Sequence, residues 1–234
     1  MNLTNVYDAV VMLAYPQICV ICGQSVEQRR FGVACETCWQ GTRIFADEER
    51  ICLKCGMPDQ ERCGRCEEMA FTAARAAGIY EGALRESVLL LKRKPYLPQY
   101  VEGLLTDVVR REPLSRSTRV IPVPLHPKRL KTRGFNQASI IGQTVSKALR
   151  LPLDEFSLVR VSTTEKYRAG MDAKGRRDTV AGAFRASNPR LVAGEDILLV
   201  DDVFTTGATI SACAETLMAA GVRNVFVLTV ARAR

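Results

Sequence analysis

The stretch from Ile197 to Thr209, Ile-Leu-Leu-Val-Asp-Asp-Val-Phe-Thr-Thr-Gly-Ala-Thr, constrains the fold of this chain more than any other. Four consecutive apolar residues have no polar face, so Ile197 to Val200 reads as a strand covered on both sides, as in a parallel sheet. Asp201 and Asp202 stand where that strand is expected to end. Thr205-Thr206-Gly207 then turns the chain into an apolar helix, expected from Ala208 to Ala220. Open α/β sheets bind ligands outside the carboxyl ends of their strands. A helix that begins there points unbonded N–H groups into the crevice, which suits an anion. The small side chains from Thr205 to Thr209 let amides and hydroxyls close on a phosphate. The two acids, being anionic, suit hydroxyls or a cation instead. A ligand with a phosphate beside a ribose ring would use both halves. Two acids at a strand end also occur in receiver domains and in metal-binding strands, so the whole segment carries the reading, not the acid pair.

Position by position, the segment resembles the PRPP-binding signature of type I phosphoribosyltransferases (PRPP is phosphoribosyl pyrophosphate). The resemblance implies that Asp201 and Asp202 hold the ribose hydroxyls. It also implies that Thr205, Thr206, Gly207, Ala208 and Thr209 cradle the phosphate.

The front of the chain is governed by cysteine. Cys19-x-x-Cys22 and Cys35-x-x-Cys38 are followed by Cys52-x-x-Cys55 and Cys63-x-x-Cys66. Each pair is a short turn able to aim two thiolates at one ion, and two pairs complete a four-sulfur tetrahedral shell, the usual structural zinc site. Nine cysteines in a chain whose start, Met1 to Tyr15, does not read as a signal peptide argue for metal rather than disulfides. Iron–sulfur ligation is the rival use of four thiolates. The expected partition is sequential, with Cys19, Cys22, Cys35 and Cys38 on one ion and Cys52, Cys55, Cys63 and Cys66 on another; a cross-braced pairing is the alternative. A closed site of this kind supports folding and does no chemistry. Cys213 stands alone in an apolar helix and reads as core.

The chain has 234 residues, 47% of them apolar, enough for a module plus a larger domain. We place the division at 1–70, a helix plus a double zinc ribbon, and 71–234. No run of about eighteen apolar residues occurs, so no membrane span is expected. The net charge of +8 fits polyanionic ligands, either phosphorylated small molecules or nucleic acid.

Between these landmarks, residues 2–14 have helical apolar spacing at Leu3, Val6, Val10 and Leu13. Helices are expected from Leu84 to Lys92 and from Pro98 to Arg111. The run Lys92-Arg93-Lys94 before Pro95 reads as a solvated loop as readily as a site. Arg119 to Pro124 is a strand whose alternating prolines place it at an edge or a strand end. After it, Lys128, Arg129, Lys131, Arg133 and Gly134 form a basic loop leading to a helix from Gln137 to Leu149. This is a second anion-binding candidate, with arginine supplying forked donors to a pyrophosphate. His126, the only histidine, reads more readily as a hydrogen-bonded structural group than as an acid, a base or a ligand. Leu158 to Val161 resembles a strand. Ser162 to Thr179 is a long basic stretch, a candidate hood over a pyrophosphate through Lys166, Arg168 and Arg176. The repeated strand–helix order predicts a mostly parallel sheet.

Taken together, the cysteine module, the Pro-Val-Pro-Leu-His-Pro to Arg133-Gly134-Phe135-Asn136-Gln137 block, the basic hood and the Asp201 to Thr209 segment resemble the ComF family of competence-associated phosphoribosyltransferase-like proteins. The resemblance covers nearly the whole chain. It departs at the hood, where this chain has Thr164-Glu165-Lys166-Tyr167 and Gly170-Met171, with Asp178 where relatives commonly carry Asn. It implies a type I phosphoribosyltransferase-like α/β fold in a cytoplasmic bacterial protein. It further implies PRPP binding with Mg²⁺, two structural zinc ions, and a role in DNA uptake or the use of imported DNA. Two readings stand side by side. One is an enzyme that transfers a phosphoribosyl group; the other is a nucleic-acid-handling adaptor that keeps the fold and contacts single-stranded DNA or a DNA-processing protein. Either is compatible with a homo-oligomer.

Overall fold

The computed structural model describes residues 16–47, 49–59, 61–161 and 182–234. The helix read over 2–14 and the hood residues Lys166, Arg168 and Arg176 lie outside these. In chain order the regular elements begin with α1 (Glu36–Gln40), β1 (Ala73–Ile79), α2 (Gly82–Leu91), α3 (Gln99–Val109) and β2 (Arg119–Pro122). They continue with α4 (Pro127–Arg133), α5 (Gln137–Leu149), β3 (Leu158–Arg160), β4 (Phe184–Ala186) and α6 (Pro189–Val192). The last three are β5 (Asp196–Phe204), α7 (Ala208–Ala219) and β6 (Asn224–Arg232).

The main sheet runs β1-β6-β5-β2, and every neighbouring pair in it is parallel. The expected parallel sheet is therefore present, with β3 and β4 standing apart as an antiparallel pair. Inner strands β5 and β6 hide Ile197 to Val200, Val225, Val227, Leu228 and Val230 completely, which is why their sequences are apolar without alternation. The proline-bearing β2 takes an outer position, as its missing donors require.

Both faces of the sheet are covered. On one, Leu84 and Val88 of α2, Val101 and Leu105 of α3, and Ile141 and Val145 of α5 pack on Leu198, Val200 and Leu228. On the other, Ile210, Cys213 and Leu217 of α7 pack on Ile197, Leu199 and Val227. Cys213 is a buried core residue, as expected.

The cysteine module straddles the β1 edge. Its first half, with Cys19, Phe31, Cys35 and Trp39, joins the core of the α2/α3/α5 face. Its second half, with Cys52, Cys55 and Cys66, joins the α7 face. The outer side of β1 is covered as well: Phe45 N–H donates to Ala77 O at 2.9 Å, Ile79 N–H to Arg43 O at 2.9 Å, and Ala74 N–H to Lys54 O at 2.6 Å. An edge that would otherwise invite pairing with another chain is thereby closed. Close approach explains the small residues of β1. At Gly78 of β1 a Cβ would collide with the Arg43 carbonyl oxygen, and at Gly56 of the ribbon, whose φ is +68°, it would stand 2.6 Å from the Ala74 carbonyl oxygen.

Two sequence expectations are corrected. The central strand does not end at Val200; β6 offers partners further along, with Asp201 opposite Thr229 and Phe204 opposite Arg232, so β5 runs on through both acids. The basic stretch after β2 is not a loop but the seven-residue helix α4. Pro127 opens it, the His126 side chain caps it, and Gly134, at φ +81°, ends it in the left-handed conformation.

Candidate functional site

The two cysteine groups assemble as the sequential partition predicts. Cys19, Cys22, Cys35 and Cys38 place their sulfurs within 4.8 Å of one another, and so do Cys52, Cys55, Cys63 and Cys66. Individual separations are 3.7 Å for Cys19–Cys38, 3.6 Å for Cys22–Cys35, 3.7 Å for Cys52–Cys66 and 3.3 Å for Cys55–Cys63. A tetrahedron with Zn–S bonds of about 2.3 Å has edges of about 3.8 Å, so both groups fit that ion.

The electrostatics agree. Burial alone would raise the Cys19 thiol, but the N–H groups of Cys22, Cys35 and Ile21 outweigh it and bring the value down to about 6. Burial acts against Cys52 in the same way and is outweighed by the N–H groups of Cys55 and Lys54, again giving about 6. Burial and the neighbouring sulfurs push Cys38 and Cys66 up. One thiol of each group is lowered while neighbours are raised, so holding all four sulfurs as thiolates calls for a dication.

The strand-turn-helix lies at the carboxyl end of the sheet. Asp201 and Asp202 are consecutive in an extended strand, so they face opposite sides of it. Asp202 faces α2, where its Oδ2 meets the Lys92 Nζ at 3.2 Å. That oxygen is buried and has no other hydrogen-bond partner among the described residues. Asp201 faces α7, within electrostatic reach of Arg160 and Cys213. Burial first, and then the charge of Asp202, push the Asp201 carboxyl up to about 8. Near neutral pH Asp201 therefore keeps its proton most of the time, and the two acids carry close to one charge between them.

Beyond Phe204 the chain bends through Thr205, Thr206 and Gly207 into α7. Thr205 is exposed, while Thr206, Ala208 and Thr209 are partly buried. Gly207 has φ +75°, and a Cβ there would stand 2.8 Å from Phe204 and 2.9 Å from the Met69 sulfur. Only glycine allows both the turn and that packing.

Helix α4 has no buried residue; Lys128, Arg129 and Lys131 are exposed, and the partly buried Arg133 donates through Nη1 to Gln137 Oε1. The His126 Nδ1 accepts from Lys128 N–H at 3.1 Å, so the lone histidine is a structural cap. Asn136 fixes the start of α5: its Nδ2 donates to Val123 O at 3.0 Å, and its Oδ1 accepts from Ala138 N–H at 3.1 Å. Lys128, Arg129, Thr132 and Arg133 face Lys92 and Arg93 across an open depression of about 620 Å³. The Lys92-Arg93 pair, which the sequence left as readily a solvated loop, thus belongs to the basic cluster. Its pairing partner lies more than a hundred residues away in sequence, so no local pattern reveals it.

Residues 10–69 match the double zinc ribbon domain family. With the two cysteine tetrads, that match supports structural zinc. Along nearly its whole length the chain is similar to curated proteins. "DNA utilization protein YhgH" of Escherichia coli O157:H7 is 29% identical over 225 residues, covering 92% of this chain and 96% of that one. "Competence protein F" of Haemophilus influenzae is 29% identical over 229 residues, with the same coverages of 92% and 96%. "Competence protein ComFC" of Bacillus subtilis is 22% identical over 232 residues, covering 87% and 90%. Among solved structures, the glutamine PRPP amidotransferase of B. subtilis complexed with ADP and GMP matches with a TM-score of 0.40. It is 16% identical, over 61% of this chain and 30% of that one.

Proposed function

We propose that this chain, a relative of the competence and DNA utilization proteins along nearly all its length, binds PRPP with Mg²⁺ and acts in DNA uptake or the use of imported DNA. The observation that supports the reading is the Lys92–Asp202 contact of 3.2 Å, which links Asp202 to the basic depression. A ligand that joins a hydroxyl-bearing ring to several phosphates matches that alternation of charge. In this reading Asp202 accepts from ribose hydroxyls, and the mostly protonated Asp201 both donates and accepts. The turn from Thr205 to Thr209 holds the 5′-phosphate, while Arg129 and Arg133 hold the pyrophosphate with Lys128, Gly134 and Lys92. The basic residues Lys166, Arg168 and Arg176 stay in the proposal as a hood. Mg²⁺, held by oxygen donors, would offset the pyrophosphate charge. Asp202 Oδ2, buried and engaged among the described residues only by Lys92, is a donor of that kind. The division at 1–70 and 71–234, and a cytoplasmic location, belong to the same proposal.

A second reading is favoured by one observation: the basic depression is open, and α4 beside it is exposed from Pro127 to Thr132. A long polyanion such as single-stranded DNA reaches such a surface as easily as a small ligand does. In that case the chain is an adaptor, with PRPP as a regulatory ligand. Arg129→Gln with Arg133→Gln tests the shared surface. PRPP affinity should fall at least about tenfold, the loss of one or two charge-assisted hydrogen bonds, and single-stranded DNA binding should weaken with a shallower salt dependence. Unchanged PRPP affinity removes α4 from the PRPP site. Pyrophosphate release from PRPP, with and without bases, separates the enzyme from the adaptor.

A further inference from the structure

The two cysteine groups brace different parts of the molecule. The first reaches α3, where Trp39 meets Tyr100 at 4.7 Å. The second reaches the turn that joins β5 to α7, along two routes.

One route starts at Cys66. Its carbonyl accepts from Met69 N–H at 3.1 Å, which fixes Met69 just beyond the last sulfur of the group. The Met69 sulfur lies against Gly207, so close that a Cβ there would stand 2.9 Å from it. The next residue, Ala70, donates its N–H to Ser211 Oγ at 3.2 Å, and Ser211 N–H donates to Gly207 O at 2.8 Å. The first turn of α7 is thereby pinned to the chain that leaves the ribbon. The other route starts at Cys55. Its carbonyl accepts from Arg232 Nη1, and the same guanidinium lies over the Phe204 ring at 5.0 Å. Phe71 meets that ring edge-on at 5.9 Å.

Phe204 and Gly207 bracket Thr205 and Thr206, so the second group holds both ends of the proposed phosphate turn. Between the group and the turn lies a cavity of about 320 Å³, lined by Cys55, Cys63, Cys66, Thr205 and Thr206 among others. It gives the turn room to shift once its ends loosen. Cys55 and Cys66 are ligands in the zinc assignment, and a shell of thiolates closes only around its ion. Losing the ion frees the two carbonyls, and with them Met69 and Arg232.

We propose that metal in the second cysteine group positions the Thr205–Gly207 turn through Met69 and Arg232, so that zinc there and an anion in the turn strengthen each other's binding. The inference rests on the PRPP reading for the identity of the anion, not for the positioning. Such a coupling is reciprocal by thermodynamic necessity, so it can be read from either ligand.

The test uses the full chain. Cys66→Ser should give up the second ion and Cys19→Ser the first, while Met69→Ala and Met69→Leu should keep both. Amide exchange over residues 204–211 should quicken at least about tenfold in Cys66→Ser and Met69→Ala, and stay within about twofold of the parent in Cys19→Ser and Met69→Leu. Protected amides in β2 and α5 confirm that a variant is folded; if Cys66→Ser is not, Met69→Ala decides. PRPP affinity with Mg²⁺ should fall at least about fivefold in the same two variants. In return, PRPP with Mg²⁺ should slow zinc transfer to a chromogenic chelator from Cys19→Ser, which holds only the second ion, and not from Cys66→Ser, which holds only the first. The proposal is overturned if exchange over the turn is unchanged in Met69→Ala, or if losing the first ion loosens the turn as much as losing the second. It is also overturned if bound PRPP leaves zinc transfer from Cys19→Ser unchanged. A parent that binds no PRPP sinks the PRPP reading alone, and the exchange data then decide the positioning.

Discussion

At the scale of single residues, Asp201 is the group whose behaviour departs most from its sequence reading. Two adjacent acids suggest two charges, but burial and Asp202 raise Asp201 from the ordinary 3.8 to about 8. Between those values the folded chain keeps a proton that the unfolded chain has lost. Stability should therefore fall as pH rises through that window and level off above it. Asp201→Asn, neutral throughout, should flatten that part of the profile and be more stable than the parent at pH 8. Urea unfolding at a series of pH values checks this, and an unaltered slope in the variant refutes it. The identity of both acids was legible in the sequence. Their opposite directions and the Lys92 partner were not, because they depend on the strand continuing past Val200 and on a helix more than a hundred residues earlier.

At the scale of elements, the strand-turn-helix was readable because its signals are local: an unbroken apolar run, a glycine turn and an apolar helix. The cysteine partition was readable for the same reason. Helix α4 was missed because it buries nothing, so it has no apolar period to detect, although Pro127 and Gly134 mark both its ends. Gly207→Ala tests the turn. A left-handed conformation plus contacts of 2.8–3.0 Å to Phe204 and Met69 should lower stability by about 1–3 kcal/mol, read as a drop in Tm. For the metal groups, purified protein should carry two zinc ions, and Cys19→Ser or Cys66→Ser should each lose one. Iron, or no metal in freshly made protein, contradicts the assignment.

At the scale of the whole molecule, the ribbon and the sheet share their cores. Phe31 meets Tyr100 of α3 edge-on at 5.3 Å and Trp39 meets it tilted at 4.7 Å, and the second tetrad packs with Phe71, Phe204 and Val225. The sequence alone suggests a separate front module, because the paired cysteines end at Cys66; side-chain packing across that point carries no sequence signature. Chelating the zinc should accordingly raise hydrogen exchange in β1 and α3 as well as in the ribbon. Exchange confined to residues before 70 would contradict this.

The account turns on one site in which acids, turn and basic depression share a ligand. Calorimetry of PRPP with Mg²⁺, on the zinc-loaded chain and on Asp201→Asn with Asp202→Asn, tests it most directly. The parent should bind, and the double variant should lose roughly tenfold to a hundredfold in affinity, because the charged hydrogen bond of Asp202 is worth about 1.5–3 kcal/mol. Circular dichroism and zinc content should not change. A folded double variant that binds as tightly as the parent, or a parent that does not bind at all, would contradict the account.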